Sequence, residues 1–133
     1  DSDTKIVLIH DAVRPLVNSK EIEEVIERTD QKGAAILASP MKLTIKKVNS
    51  SLEIIETVPR NDLWMAQTPQ GFKRDLIVKA YDKIKGTDVE FTDDAEVVEK
   101  AGHAVGVVSG SYDNIKITTP EDLKLAELML VKH

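Results

Sequence analysis

Two charged clusters stand at opposite ends of the sequence, His10-Asp11-Ala12-Val13-Arg14-Pro15 and Asp113-Asn114-Ile115-Lys116-Ile117-Thr118. Each adjoins an apolar, β-branched run with the character of a buried strand, and open α/β sheets bind ligands at such strand ends. The first cluster offers a carboxylate and a guanidinium, the second a carboxylate and an ammonium. Carboxylates hold a cation and cations hold phosphates, so the combination suits a metal-bound, multiply phosphorylated substrate. Asp11 and Asp113 are therefore candidate ligands of a Mg2+ ion bridging nucleotide phosphates. The plainer roles are open beside this one. Asp11 serves equally well as the partner of Arg14, and Asp113 as a turn residue after Gly110-Ser111-Tyr112.

Lys116 sits between Ile115 and Ile117, and the period of two in a strand points it opposite both isoleucines. A lysine so placed either snorkels to water or meets an anion. Arg60, after Val58-Pro59, suits a pair with Asp62 or a forked grip on phosphate. Thr68, in Thr68-Pro69-Gln70-Gly71, is expected to form a turn, and Trp64 to pack in the core. His10, His103 and His133 lack the spacing of a zinc site. No Ser-His-Asp arrangement is visible.

The elements that must carry these groups follow from pattern. Lys5 to Ile9 reads as a parallel strand covered on both faces. Asn18 and Glu21 form a capping pattern for a helix carrying Ile22, Val25 and Ile26 on one face, which Gly33 ends. Ala34 to Ala38 is a short strand stopping before Pro40. Residues 44–48 and 52–58 flank Asn49-Ser50-Ser51 as a β-hairpin with a three-residue turn. Its partly polar composition predicts an arm that projects from the core, and a projecting ribbon in an α/β protein often grips a second subunit. Leu63 to Gln67 reads as a strand, residues 73–84 as a helix, and Thr92 as the cap of the next helix, with Gly102 at its end. Val105 to Val108 and Ile115 to Ile117 complete the strands, and Thr119-Pro120-Glu121-Asp122 opens the last helix. The fold class is α/β, a Rossmann-like layered domain with a mostly parallel sheet and one antiparallel arm at about residues 41–59.

Bulk properties narrow the function. A chain of 133 residues fits one domain or part of a larger one. Aromatic residues make up 4% and the net charge is −5, which disfavours nucleic-acid partners. The absence of cysteine excludes disulfides and thiolate chemistry. No run has the apolar length of a membrane helix and no signal-peptide pattern opens the sequence, so a cytoplasmic location is expected. The six glycines are scattered, which leaves no glycine-rich loop to wrap a triphosphate. The chain opens on Asp1-Ser2-Asp3-Thr4 without a methionine and reaches a strand almost at once. Part of a longer protein is the expectation.

His10 to Pro15, Arg60-Asn61-Asp62-Leu63-Trp64 with Gln67-Thr68-Pro69-Gln70, Thr92-Asp93-Asp94-Ala95 and Asp113 to Thr118 follow one another in the order and spacing of a known family. Together they resemble the 2-C-methyl-D-erythritol 4-phosphate cytidylyltransferases of non-mevalonate isoprenoid biosynthesis, over the C-terminal portion of a single nucleotidyltransferase domain. The resemblance implies cytidylyl transfer from CTP to methylerythritol phosphate, with release of pyrophosphate and with Mg2+ as cofactor. It implies catalytic roles for Lys116 and Asp11, with Asp11 and Asp113 near the metal and the CTP phosphates. Arg60 and Lys116 would hold the acceptor phosphate, Thr68 would line its pocket, and Arg14 would add a substrate contact. The family's arm crosses a homodimer, so Thr44 and Arg60 would serve the neighbouring subunit. Two departures stand out: Leu43 occupies the position of the usual arm aspartate, and the family's glycine-rich N-terminal loop has no counterpart here. Without that loop the chain by itself is expected not to turn over. Ribitol-5-phosphate cytidylyltransferases share several of these patterns, and a non-catalytic dimerisation fragment is the reading from a different class.

Overall fold

The structure, a computed structural model, describes residues 3–131; His133 lies outside them. Among the described residues six strands and four helices follow one another: β1 (Ile6–Ile9), α1 (Ser19–Lys32), β2 (Ala34–Pro40), β3 (Ile45–Val48), β4 (Ile54–Val58), β5 (Trp64–Lys73), α2 (Arg74–Ile84), α3 (Asp94–Lys100), β6 (Gly106–Ser109) and α4 (Pro120–Leu130). A four-stranded sheet has the order β1-β5-β2-β6, and β3 and β4 form a separate two-stranded ribbon. β5 is antiparallel to both neighbours, while β2 and β6 are parallel. Three strands thus run one way and β5 alone runs against them.

Local chemistry sets the helix ends. Asn18 Oδ1 accepts from Glu21 N and Glu21 Oε2 accepts from Asn18 N, a complete capping box for α1. Gly33 closes that helix in the left-handed region at φ 91°, where only glycine sits without strain. Thr119 and Asp122 form the same box on α4, with Pro120 in the first turn.

The sheet is covered on both faces. On one, Phe72 and Ala34 meet Ile77 and Ala80 of α2 and Val97 and Val98 of α3. On the other, α1 approaches so closely that a methyl at Gly71 would strike Thr29 and press on Val25 and Leu8. Gly71 therefore marks the helix–sheet contact and not a turn.

Several expectations need correction. Thr68-Pro69-Gln70-Gly71 lies within β5: β1 and β2 both pair with Gln70 and Gly71, and the β2 ladder resumes at Ala66 after an irregularity in register that takes up residues 67–69. Residues 115–117 form no strand and join no ladder; one backbone bond, from Ile117 N to Val13 O, and the ion pair of Lys116 with Asp11 tie them to the first loop. β1 is a half-buried edge strand, since its one neighbour is β5. β2 runs on to Pro40, which pairs with Trp64 at the start of β5. That position leaves Trp64 44% exposed rather than in the core. The hairpin turn spans residues 49–53, with Leu52 at φ 61° and Asn49 Oδ1 accepting from Ser51 N and Glu53 N. α3 is capped by Asp93, whose Oδ1 accepts from Glu96 N, because Thr92 is itself held by Glu96 Oε2.

Candidate active site

β1 and β6 run in the same direction, and the loops leaving their carboxyl ends bring the two charged clusters together. Between them a cleft of about 330 Å3 is lined by Asp11, Arg14, Thr68, Thr92 and Lys116, among others. A larger depression of about 630 Å3 surrounds Asp30, Lys73 and Arg74. There Lys73 and Arg74 are each matched by an aspartate, which leaves less charge for an anion.

Asp11 is the hub of the cleft. Its Oδ2 lies 3.1 Å from Arg14 Nε and 3.6 Å from Lys116 Nζ. Arg14 also donates through Nη1 to the Asn114 carbonyl at 2.7 Å, so the guanidinium is fixed from two sides. The Arg14 side chain is 12% exposed and that of Lys116 50% exposed, so the ammonium is the accessible cation. One carboxylate thus gathers two cations at one wall of the cleft, where they can meet a phosphate, while Asp93 and Asp94 make the lining as a whole acidic.

The hydroxyl of Thr68 is held between the backbone of Asp11 and the ring of His10. Asp11 N donates to Thr68 Oγ1 at 2.9 Å, and Thr68 Oγ1 lies 2.9 Å from His10 Nδ1. His10 Nε2 lies 2.9 Å from the Arg14 carbonyl, which can only accept. The proton is therefore on Nε2, and Thr68 donates to Nδ1. His10 is a brace of the loop, not a metal ligand.

The opposite wall comes from α3. Gln70 Nε2 donates to Asp93 Oδ2 at 2.9 Å and its Oε1 accepts from Ala95 N at 3.1 Å, which seats the helix start on β5. Thr92, Asp93 and Asp94 line the cleft as a result. The sequence marked Thr92 only as a cap; the signal for a site was the Thr-Asp-Asp run opening a helix after a loop. Tyr81 of α2 donates to Asp94 Oδ1, and that bond, with partial burial and the nearby carboxylate charge, raises its pKa to about 12. In a spectrophotometric titration one tyrosine should ionise close to pH 12, and Tyr81→Phe should remove that late step. The bond stabilises the fold while Tyr81 is protonated, so its contribution is present below pH 10 and is lost as pH rises toward 12.

Not every expected residue enters the cleft. Asp113 is exposed and lines a separate depression with Pro15 and Asn18. Arg60 is exposed at the root of the ribbon, where Nη1 donates to the Lys42 carbonyl at 2.9 Å instead of pairing with Asp62. Thr44 is exposed just before β3. Among the described residues no group of three or more His, Cys, Asp or Glu side chains is placed to hold a metal ion. The donors fit Mg2+ in one form, an ion carried on substrate phosphates with Asp11 as its protein ligand, since Mg2+ commonly takes one or two carboxylates and completes its shell with phosphate and water.

A sheet covered on both faces, with a polar cleft at its strand ends and a β-ribbon set apart, defines a nucleotidyltransferase-like α/β protein. The chain matches the pattern of the family "2-C-methyl-D-erythritol 4-phosphate cytidylyltransferase" over residues 1–132. It is 51% identical to the protein of that name from Alkaliphilus oremlandii over 128 residues, covering 96% of this chain and 54% of the relative. It is 42% identical to the chloroplastic protein of that name from Oryza sativa subsp. japonica, covering 98% of this chain and 44% of the relative. The crystal structure of 4-diphosphocytidyl-2C-methyl-D-erythritol synthase from Anaerococcus prevotii superposes with a TM-score of 0.90 at 34% identity, covering 98% of this chain and 58% of that one. The chain belongs to the 2-C-methyl-D-erythritol 4-phosphate cytidylyltransferase family. It spans about half the length of the curated relatives it matches.

Proposed function

We propose that the cleft takes part in cytidylyl transfer from CTP to 2-C-methyl-D-erythritol 4-phosphate, as the names of the relatives suggest. The observation that carries this reading is the convergence of Arg14 and Lys116 on one carboxylate oxygen beside the Thr68 hydroxyl. In the reaction an oxygen of the acceptor phosphate bonds to the α-phosphorus of CTP and the bond to the pyrophosphate oxygen breaks. Negative charge moves onto the leaving pyrophosphate, so the protein's task is to position the reactants and to stabilise charge.

In this reading Lys116 meets a substrate phosphate directly, and Asp11 holds Lys116 and Arg14 at their stations. Mg2+ would neutralise charge on the CTP phosphates, with the carboxylate of Asp11 as its protein ligand. Asp113 would join it only after moving from the separate depression that it lines. Arg60 and Thr44 would serve a second copy of the chain through the β3–β4 ribbon. The exposed Leu43, Val48, Ile54 and Ile55 support that pairing, because apolar side chains on a ribbon apart from the main sheet gain from being covered. Among the described residues no helix is long and apolar enough to cross a membrane. A cytoplasmic location is proposed on the ground that CTP is an intracellular substrate.

The test is pyrophosphate release with CTP, Mg2+ and methylerythritol phosphate, run in parallel with ribitol 5-phosphate. It is made on the 133-residue chain and on a version extended upstream to the length of the relatives. Release from the extended protein with methylerythritol phosphate alone is the expected result. Release with ribitol 5-phosphate at an equal rate would overturn the acceptor assignment, and no release with either would leave the dimerisation reading.

A further inference from the structure

Lys116 rides on a segment that no β-ladder holds, yet its ammonium must stand at a fixed place for the proposed function to work. What fixes the segment is a run of buried amides. Gln67 of β5 is 7% exposed and Asn114 is 1% exposed. Gln67 Nε2 donates to the Ser111 carbonyl at 2.9 Å and to Ser39 Oγ at 3.3 Å. Asn114 Nδ2 donates to Gln67 Oε1 at 3.3 Å and to the Thr68 carbonyl at 2.9 Å. The Asn114 carbonyl in turn receives Arg14. The two amide side chains therefore bridge the strand that carries Thr68 and the loop that carries Lys116.

We infer that Gln67 and Asn114 are positioning residues that set the spacing among Thr68, Arg14 and Lys116, and so the affinity for the acceptor phosphate. The inference rests on the proposed function. Asn114 does not line the cleft, and Gln67, which does, spends its amide on Ser111, Ser39 and Asn114, so both act through the groups they place. An amide suits this task because it donates and accepts without changing charge over the working pH range. Gly110 fits the same picture, since a methyl there would press on Gln67 Oε1 at 2.6 Å and push the bridge aside.

The experiment is steady-state kinetics on the extended protein with Gln67→Met, which keeps the side-chain length and removes every hydrogen bond. Loss of the bridge should raise the KM for methylerythritol phosphate by about tenfold or more, the size of one lost hydrogen bond to a buried carbonyl. The KM for CTP should stay within about twofold, and Asn114→Leu, which removes the other half of the bridge at similar volume, should raise the KM for methylerythritol phosphate in the same way. Equal rises in both KM values, or no rise in a folded variant, would overturn the inference. So would failure of both variants to fold, which would assign the pair to the core alone. A parent protein that does not use methylerythritol phosphate at all defeats the functional reading instead, and that is seen before any variant is made.

Discussion

Lys116→Ala in the extended protein should lower kcat/KM for methylerythritol phosphate by about tenfold to a hundredfold and leave the fold intact. The magnitude is that of one lost charge-assisted contact to the acceptor phosphate, on the order of 1.5–3 kcal/mol. Lys116 lies 3.6 Å from Asp11 and its side chain is half exposed, so the ion pair itself contributes little to stability. Urea unfolding should therefore shift by no more than about 0.5 kcal/mol. Lys116→Arg should not restore the rate, because a planar fork cannot place its charge where a compact ammonium stood. Asp11→Asn provides the contrast. It removes the anion that both cations share, so it should disturb Arg14 and Lys116 together and weaken binding of both substrates. Rates that are unchanged in Lys116→Ala would place the reacting phosphate elsewhere in the protein.

Much of this site was legible in the sequence, and the limits have physical causes. Asn18 with Glu21, Gly33, and Thr119 with Pro120 report on their own neighbourhood, and local chemistry is what a sequence displays. Asp11, Arg14 and Lys116 could be placed together because strands that run one way bring their carboxyl ends to one edge. The path of β5 was not legible. Pro69 and Gly71 are turn residues by composition, yet Gly71 is small to let α1 approach and Pro69 sits where the β2–β5 ladder is irregular, so it removes no rung of the sheet. Gln67, Gln70 and Asn114 were missed for another reason. Their hydrogen bonds join residues far apart in the chain, and nothing local distinguishes them from surface amides. Lys116 did alternate with its isoleucines as the period of two requires, although no neighbouring strand enforces it. Asp113 shows the reverse limit. Its place at a strand edge, like that of Asp11, made it look like a second ligand of one ion, but the loop turns it toward another depression.

The position of Arg60 leads to the sharpest test of how a whole site is assembled. Arg60 sits at the root of the ribbon, bonded to the Lys42 carbonyl and absent from the lining of the cleft that holds Lys116. If Arg60 grips the acceptor phosphate, it must do so in the cleft of a second copy. Arg60→Ala alone and Lys116→Ala alone should then both be strongly impaired, the first mainly through the KM for methylerythritol phosphate. A lost charge-assisted contact of this kind costs on the order of 1.5–3 kcal/mol, about tenfold to a hundredfold. Co-expressed with separate affinity tags, the two variants should form heterodimers in which one site carries both lesions and the other carries neither. A random mixture should then recover roughly one quarter of the parent activity, and the purified heterodimer about one half, because a two-fold interface makes the two sites equivalent. If each site were built within one chain, both sites of the heterodimer would carry a lesion and no activity would return. Recovery in the heterodimer, absent from both homodimers, is a result that only a shared site produces, and it would tie the exposed ribbon, Arg60 and the Asp11 cleft into one machine.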